Sequence, residues 1–416
     1  MLPPVLEIYI VWHPSDDRGS DIAAEFVDHF HGTAFTGLIG GAIEVFARSV
    51  GWHSSNDAPR PIPCAATPLP NDIQEAKFTA IVPVMGLRMA AAVQAGAGPW
   101  QEYVEAIRHL QEEADDRVGV FPYLLDGGAT DRTVLGDLLG KYQRIAASGA
   151  DANGETKTSR RCRDLAQSIA QFLTGVDEAR LTVFISHTKR SASGDEEQAA
   201  ELITMIREVI RNTHLGEFFD ASDLQPGQDW DARLRENAGR SALLALRTDL
   251  YPSREWCQRE VAIAKREGMP VIIMDALGLG EERGSFLMDH VPRVPVRKDA
   301  GRWRKQDIYR SLNLLVDQCL KRVLWIHQEA LAEERPELEV TWWAPHAPEP
   351  LTFVQWFKNA QDAGKLPADG STVRILHPDP PLGTDERLVL EQLLSLGQTH
   401  STLDIMTPRL LAARGG

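Results

Sequence analysis

Ala242-Leu-Leu-Ala-Leu246 is an uninterrupted apolar run. It is followed by Arg247-Thr-Asp-Leu-Tyr-Pro-Ser-Arg-Glu-Trp-Cys-Gln-Arg-Glu260 and then by a second short apolar run, Val271-Ile-Ile-Met274. Apolar residues without polar alternation read as a strand buried on both faces, as in the middle of a parallel sheet. Between the runs, Ser253–Arg266 reads as a helix, with Ser253 as its cap and Gly268 and Pro270 closing it. Strand, helix and strand in this order make a βαβ crossover, which is right-handed in nearly all proteins.

The same alternation extends on both sides. Upstream, Leu181–Ile185 reads as a strand ended by Ser186-His187, with a helix over Glu196–Arg211. A short strand, Glu217–Phe219, leads into Asp220, a loop over Ala221–Asp229 contains Pro226-Gly227, and a helix starts near Trp230 and reaches Ala238. Downstream, Ile308–Val316 has the spacing of an amphipathic helix. Five such units predict an α/β fold with a doubly wound, five-stranded parallel sheet of flavodoxin-like type.

A related opening stands near the start of the chain. Leu6–Trp12 reads as a buried strand ended by His13-Pro14, with Asp21–Phe30 as a helix, and His13 and His187 lie 174 residues apart. Ala23-Ala-Glu-Phe26 matches Ala199-Ala-Glu-Leu202, and Val118–Leu125 and Leu165–Leu173 read as this unit's later strand and closing helix. We read a divergent tandem repeat of one α/β domain, against the plainer reading of two generic βα units. The polar stretch Ala147–Ser159 reads as a loop within the first unit. After Glu329 the texture changes. Thr341–Pro350, rich in Trp and Pro, reads as a connector or docking segment, and Thr352–Ala363, Val373–Leu376, Asp385–Leu396 and Thr402–Ile405 form a third, small α/β unit for sensing or docking. The expected domains are 1–176, 177–328 and 329–416.

The 416 residues are 43% hydrophobic and 25% charged, as in ordinary globular domains, and the net charge of -15 disfavours nucleic-acid backbone as the main partner. Cys64, Cys162, Cys257 and Cys319 are far apart and form no CxxC pair, so neither a disulfide framework nor a metal site is expected. There is no signal-peptide pattern and no long apolar run, which makes the cytoplasm the expected location and a membrane an unlikely partner.

Open parallel sheets bind ligands at the carboxyl ends of their strands. In the second unit those ends carry Ser186, His187 and Thr188; Asp220, Asp223, Gly227 and Trp230; and Arg247 through Glu260. Three segments here carry a family resemblance: Phe184-Ile-Ser-His187, the run Phe219-Asp-Ala-Ser-Asp-Leu-Gln-Pro-Gly-Gln-Asp-Trp230, and Ser253-Arg-Glu-Trp-Cys-Gln-Arg-Glu260. In order and spacing they resemble the first-strand motif, the loop after the second strand, and the Ser-x-x-Trp-Cys-x-x-Glu helix of Toll/interleukin-1 receptor (TIR) domains of the bacterial, NAD+-cleaving kind. The resemblance covers about 150 residues. It implies Glu260 as the catalytic carboxylate, with Ser186, His187, Asp220, Asp223, Gly227, Trp230 and Trp256 around the substrate. His187-Thr-Lys189 departs from the Tyr that follows the serine in many members. The resemblance further implies an NAD+ glycohydrolase that yields nicotinamide and ADP-ribose or a cyclic variant, with NAD+ as substrate and no bound cofactor, acting as a defence effector switched on by TIR self-association, with a separate sensor protein as a further partner. The alternatives are a non-catalytic adaptor and, more distantly, a nucleoside deoxyribosyltransferase-like enzyme.

The residues allow this chemistry without requiring it. Trp256 and Glu260, four apart, share a helical face, so the indole can shield and orient the carboxylate. Nicotinamide leaves from a cationic ring and needs no general acid, so one carboxylate can suffice where ordinary glycosidases need two. The plain alternatives are a solvated glutamate at 260, a packing thiol at Cys257, turn chemistry at Asp223 and Gly227, a strand-end cap at His187 and a helix anchor at Trp230. The first unit lacks the loop signature, and its Trp100 and Glu105 are five apart, which turns the acid roughly 100° off the tryptophan face. It reads as a degenerate, non-catalytic TIR-like domain.

Overall fold

Leu6–Trp12 forms β1 and pairs in parallel with β2 (Ile43–Arg48) on one side and β3 (Phe78–Met85) on the other. Every residue of β3 is buried, as a central parallel strand requires. The computed structural model describes residues 3–32, 35, 42–54, 57–63, 76–96, 98–142, 144–145, 154–175, 181–188, 195–213, 215, 241–281, 283–368, 370–397 and 400–414. Over these, the protein is α/β, built on parallel sheets in a doubly wound manner, and it divides into two compact units: residues 1–152 with 156–177, and 153–155 with 178–416.

In the first unit the sheet has five strands in the order β2-β1-β3-β4, with β4 (Val118–Val120) and β5 (Tyr123–Leu124) both beside β3. The run Val118–Leu125, expected as one strand, is split because Pro122 has no N–H to extend the ladder; its carbonyl accepts from the Ile145 N–H (2.9 Å) instead. Helices α1 (Asp17–Phe30) and α5 (Lys157–Thr174) pack together on one face. The other face carries α2 (Leu87–Gln94), α3 (Pro99–Glu113) and α4 (Val134–Leu139). The stretch read as a loop to Ser159 is helical from Lys157, where the Thr156 hydroxyl accepts from the Ser159 N–H (3.1 Å) and caps α5.

The second unit's main sheet runs β6 (Thr182–Ser186), β7 (Ser241–Arg247), β8 (Val271–Asp275), β9 (Arg293–Pro295), all parallel. The expected strand Glu217–Phe219 and the helix from Trp230 lie outside the described residues. Helix α6 (Asp195–Arg211) packs with the long helix α8 (Lys305–Glu333) on one face, and α7 (Glu255–Arg266) packs over β7 and β8 on the other. Ser253 does not cap α7: it sits in a short 3-10 turn, Tyr251–Ser253, where its hydroxyl donates to the Leu250 carbonyl (2.7 Å), and Arg254 takes the capping position. The far end is as expected. Gly268 is left-handed (φ 66°), and the N–H groups of Gly268 and Met269 return to the carbonyls of Lys265 (3.1 Å) and Ala264 (2.8 Å), a Schellman closure. A small hairpin, β10 (Lys298–Asp299) with β11 (Arg302–Trp303), leads into α8.

Helix α8 runs through the change of texture at Glu329, because Val323, Leu324, Trp325 and Ala332 keep it buried. The same compact unit holds a third parallel sheet, β12 (Trp342–Trp343), β13 (Thr372–Leu376) and β14 (Thr402–Met406), with helices α9 (Pro350–Asp362) and α10 (Thr384–Leu396). The Trp pair expected as a connector is thus an edge strand; Trp342 stacks on Trp356 of α9 at 4.7 Å. Lys265 of α7 ties this part to the main sheet: its Nζ donates to Glu349 Oε1 (2.9 Å) and to the Asp289 carbonyl (2.8 Å), with both side chains 6% exposed. Burial lowers the lysine's pKa and raises that of Glu349, and each charge opposes the shift of the other. Among the described residues no helix is long and apolar enough to cross a membrane.

Lys265→Met keeps the stem but leaves a buried carboxylate without its cation, so a loss of about 3 kcal/mol in urea unfolding is expected. Gly268→Ala forces a side chain into the left-handed region, 3.0 Å from Pro345 Cβ, and an expected loss of about 1–2 kcal/mol is read the same way.

Candidate active site

Strand β6 ends at Ser186 and β7 ends at Arg247, so both chains leave the sheet at its carboxyl edge. Helix α7 starts eight residues after β7, and Glu260, six residues in, is carried back over that edge. Glu260 is 2% exposed. A buried carboxylate must find donors, and each oxygen of Glu260 has one. Trp256 Nε1 donates to Oε1 (2.6 Å), and the Ser186 hydroxyl donates to Oε2.

The direction of the next bond follows from valence. A carboxylate only accepts, so the Ser186 proton is committed to Glu260 and the Ser186 oxygen is left to accept. Its partner is the Tyr251 hydroxyl, at 2.6 Å. Tyr251 is fully buried, and burial, then the neighbouring Cys257 and Glu260, push its pKa well above the ordinary value, so it stays a donor. A one-way relay runs from Tyr251 through Ser186 to Glu260. Trp256 is 41% exposed, so one side of the indole reaches solvent beside the buried acid, and the Arg259 guanidinium lies over it at 5.9 Å.

The neighbouring residues hold this edge in shape. The Cys257 thiol contacts the His187 carbonyl (3.7 Å), and burial, then Glu260, push its pKa up to about 12, which suits a packing thiol and not a nucleophile. Thr188 and Thr248 meet across the strand ends at 3.4 Å. The Asp249 carboxylate accepts from the N–H groups of Gly278, Leu279 and Gly280 (2.9, 2.8 and 3.2 Å), and Arg247 pairs with Asp275 (3.3 Å) and Glu281. These bonds fix the loop after β8.

Of the residues singled out in the sequence, Ser186, His187, Trp256 and Glu260 come together at this edge. Asp220, Asp223, Gly227 and Trp230 lie outside the described residues. Glu260 is not the solvated helical glutamate of the plain reading. Sequence reasoning gives Tyr251 no role; its one signal is a hydroxyl-bearing aromatic four residues after the end of a central strand. Among the described residues no group of His, Cys, Asp and Glu could hold a metal ion.

The corresponding edge of the first unit is occupied differently. Glu105 accepts from Gln101 Nε2 (2.9 Å), and Trp100 packs against His13 at 5.0 Å. Between the ends of β1 and β3, buried Asp16 accepts from the N–H groups of Arg88 (3.0 Å) and Met89 (3.1 Å), capping α2. The fit requires Gly86, since a Cβ there would lie 2.5 Å from the Asp16 carboxyl carbon. A carboxylate committed to helix capping fills this crevice. No protein-family model matches the chain, and no curated protein matches it.

Native protein treated with iodoacetamide at pH 8 should leave Cys257 unmodified, and mass spectrometry after unfolding should find it reactive. Tyr251→Phe strips the Ser186 oxygen of its donor and should cost about 1–3 kcal/mol of stability in denaturant titration.

Proposed function

We propose that residues 177–328 form a TIR-type domain that hydrolyses the nicotinamide–ribose bond of NAD+. The observation that carries this reading is the buried Glu260 carboxylate, clamped by Trp256 and Ser186 at the sheet edge where parallel α/β folds take ligands. In the reaction the C1′–N bond breaks and its electron pair neutralises the pyridinium nitrogen, so nicotinamide leaves uncharged. Positive charge develops on the ribose, where one carboxylate stabilises it. Water then bonds to C1′ and releases a proton, giving ADP-ribose. Glu260 is the catalytic residue in this scheme; Tyr251 and Ser186 are positioning residues that act through it. Asp16, which spends both oxygens on a helix end, supports a non-catalytic role for the first unit.

TIR domains of this kind complete their sites by assembly. The exposed Leu279 and Phe286, on and after the loop that Asp249 holds, offer apolar surface for such contacts. The reading therefore includes self-association and a role as a defence effector with NAD+ as substrate.

The test is nicotinamide release from NAD+, followed by chromatography at high protein concentration. Glu260→Gln should lower the rate about 10²–10³-fold, and Trp256→Phe, which loses one hydrogen bond to the acid, about tenfold. Specific activity should rise with protein concentration. A wild-type rate equal to that of Glu260→Gln would leave the adaptor reading in place of the enzyme.

A further inference from the structure

A cavity of about 290 Å3 lies where the start of β8, the last turn of α7, the middle of α8 and the turns of the C-terminal sheet meet. It is distinct from the candidate active site. Val271, the first residue of β8, lines it, whereas Ser186 and Glu260 stand at the opposite, carboxyl edge of the sheet. Five prolines contribute to its wall, so much of the wall is rigid before any ligand arrives.

Several polar groups in it lack a hydrogen-bond partner among the described residues. Lys265, Lys321 and Arg322 line the cavity with Glu349 and Asp379. Lys265 is taken by Glu349, and His290 at the rim by Glu386 (2.8 Å). Lys321 and Arg322 are half-buried yet have no hydrogen-bond or ion-pair partner among the described residues. Asp317 and Asp379 act on Lys321, and Glu329 on Arg322, only through space. His346 adds a ring nitrogen, Nε2, that is buried without a partner among the described residues. Burial, then the charges of Arg322 and Lys265, push this histidine down to about 3, so its ring is neutral in water at pH 7. Partly desolvated cations without a hydrogen-bonded acceptor are costly unless something supplies one.

We propose that this cavity binds a small organic anion, with a carboxylate or phosphodiester group held by Arg322 and Lys321 and an apolar body against the prolines. The volume lies just below the roughly 300–1,000 Å3 of ligand pockets, which suits a small molecule. The planar guanidinium pairs with two oxygens of either group. The inference does not depend on the proposed NAD+ chemistry, because its test reads binding and not turnover.

The experiment is isothermal titration calorimetry on the full chain, with benzoate as the carboxylate probe and diphenyl phosphate as the phosphodiester probe. Saturable one-to-one binding of at least one probe is expected, weakened tenfold or more by Arg322→Gln. Gln318→Trp, which fills the cavity while keeping every cation, should weaken it as much, and Glu260→Gln should leave it unchanged. Unfolding curves of each variant check that the fold is kept. The proposal fails if neither probe saturates, if binding survives Gln318→Trp in a folded protein, or if Glu260→Gln abolishes it.

Discussion

Glu260 sits where an ionisable group is expensive to keep, and the carboxyl edge of the second unit's sheet is organised around that fact. The acid is desolvated by β6, β7 and α7, and it is tolerated because an indole N–H and a serine hydroxyl each serve one oxygen. Those donors have requirements of their own. Ser186 must be the last residue of its strand to face the helix, and its oxygen needs Tyr251 to donate to it. Tyr251 in turn needs the short turn after β7, which is why α7 begins at Glu255 and not at Ser253. The polar chain Tyr251–Ser186–Glu260–Trp256 joins two strand ends, a turn and a helix. A change to one member leaves the next with an unsatisfied buried group.

The two units show one architecture used in two ways. Each has a parallel sheet with helices on both faces and an acidic residue near the sheet's carboxyl edge. In the first unit the acid, Asp16, spends both oxygens on the N–H groups that open α2, and Gly86 gives it room. In the second, the acid comes from the helix itself and is held by the side chains of Trp256 and Ser186.

The C-terminal sheet extends this economy of charges. Lys265 lies five residues beyond Glu260 on α7, about 7.5 Å along the axis. It points at Glu349, the residue that opens α9, so a single helix carries the candidate acid toward one sheet edge and a docking cation toward the other. The long helix α8 runs beneath both regions.

The order of strands and helices was legible from the chain, because a central parallel strand must be apolar throughout and a surface helix must repeat near 3.6 residues. Leu6–Trp12, Ala242–Leu246 and Val271–Met274 say so without any partner. The pairing of Trp256 with Glu260 was legible too, since four residues on a helix share a face. Other features depended on distant neighbours. Pro122 splits a strand only because of what lies beside it. Ser253 looks like a cap until the turn claims its hydroxyl. The Trp342–Trp343 edge strand needs β13 to pair with. Tyr251 and Ser186 stand 65 residues apart, and Lys265 and Glu349 84 apart. Hydrogen bonds and ion pairs at such separations leave no periodic trace in the sequence. They exist only once burial has removed water and obliged each polar group to find the partner that the folded chain brings to it.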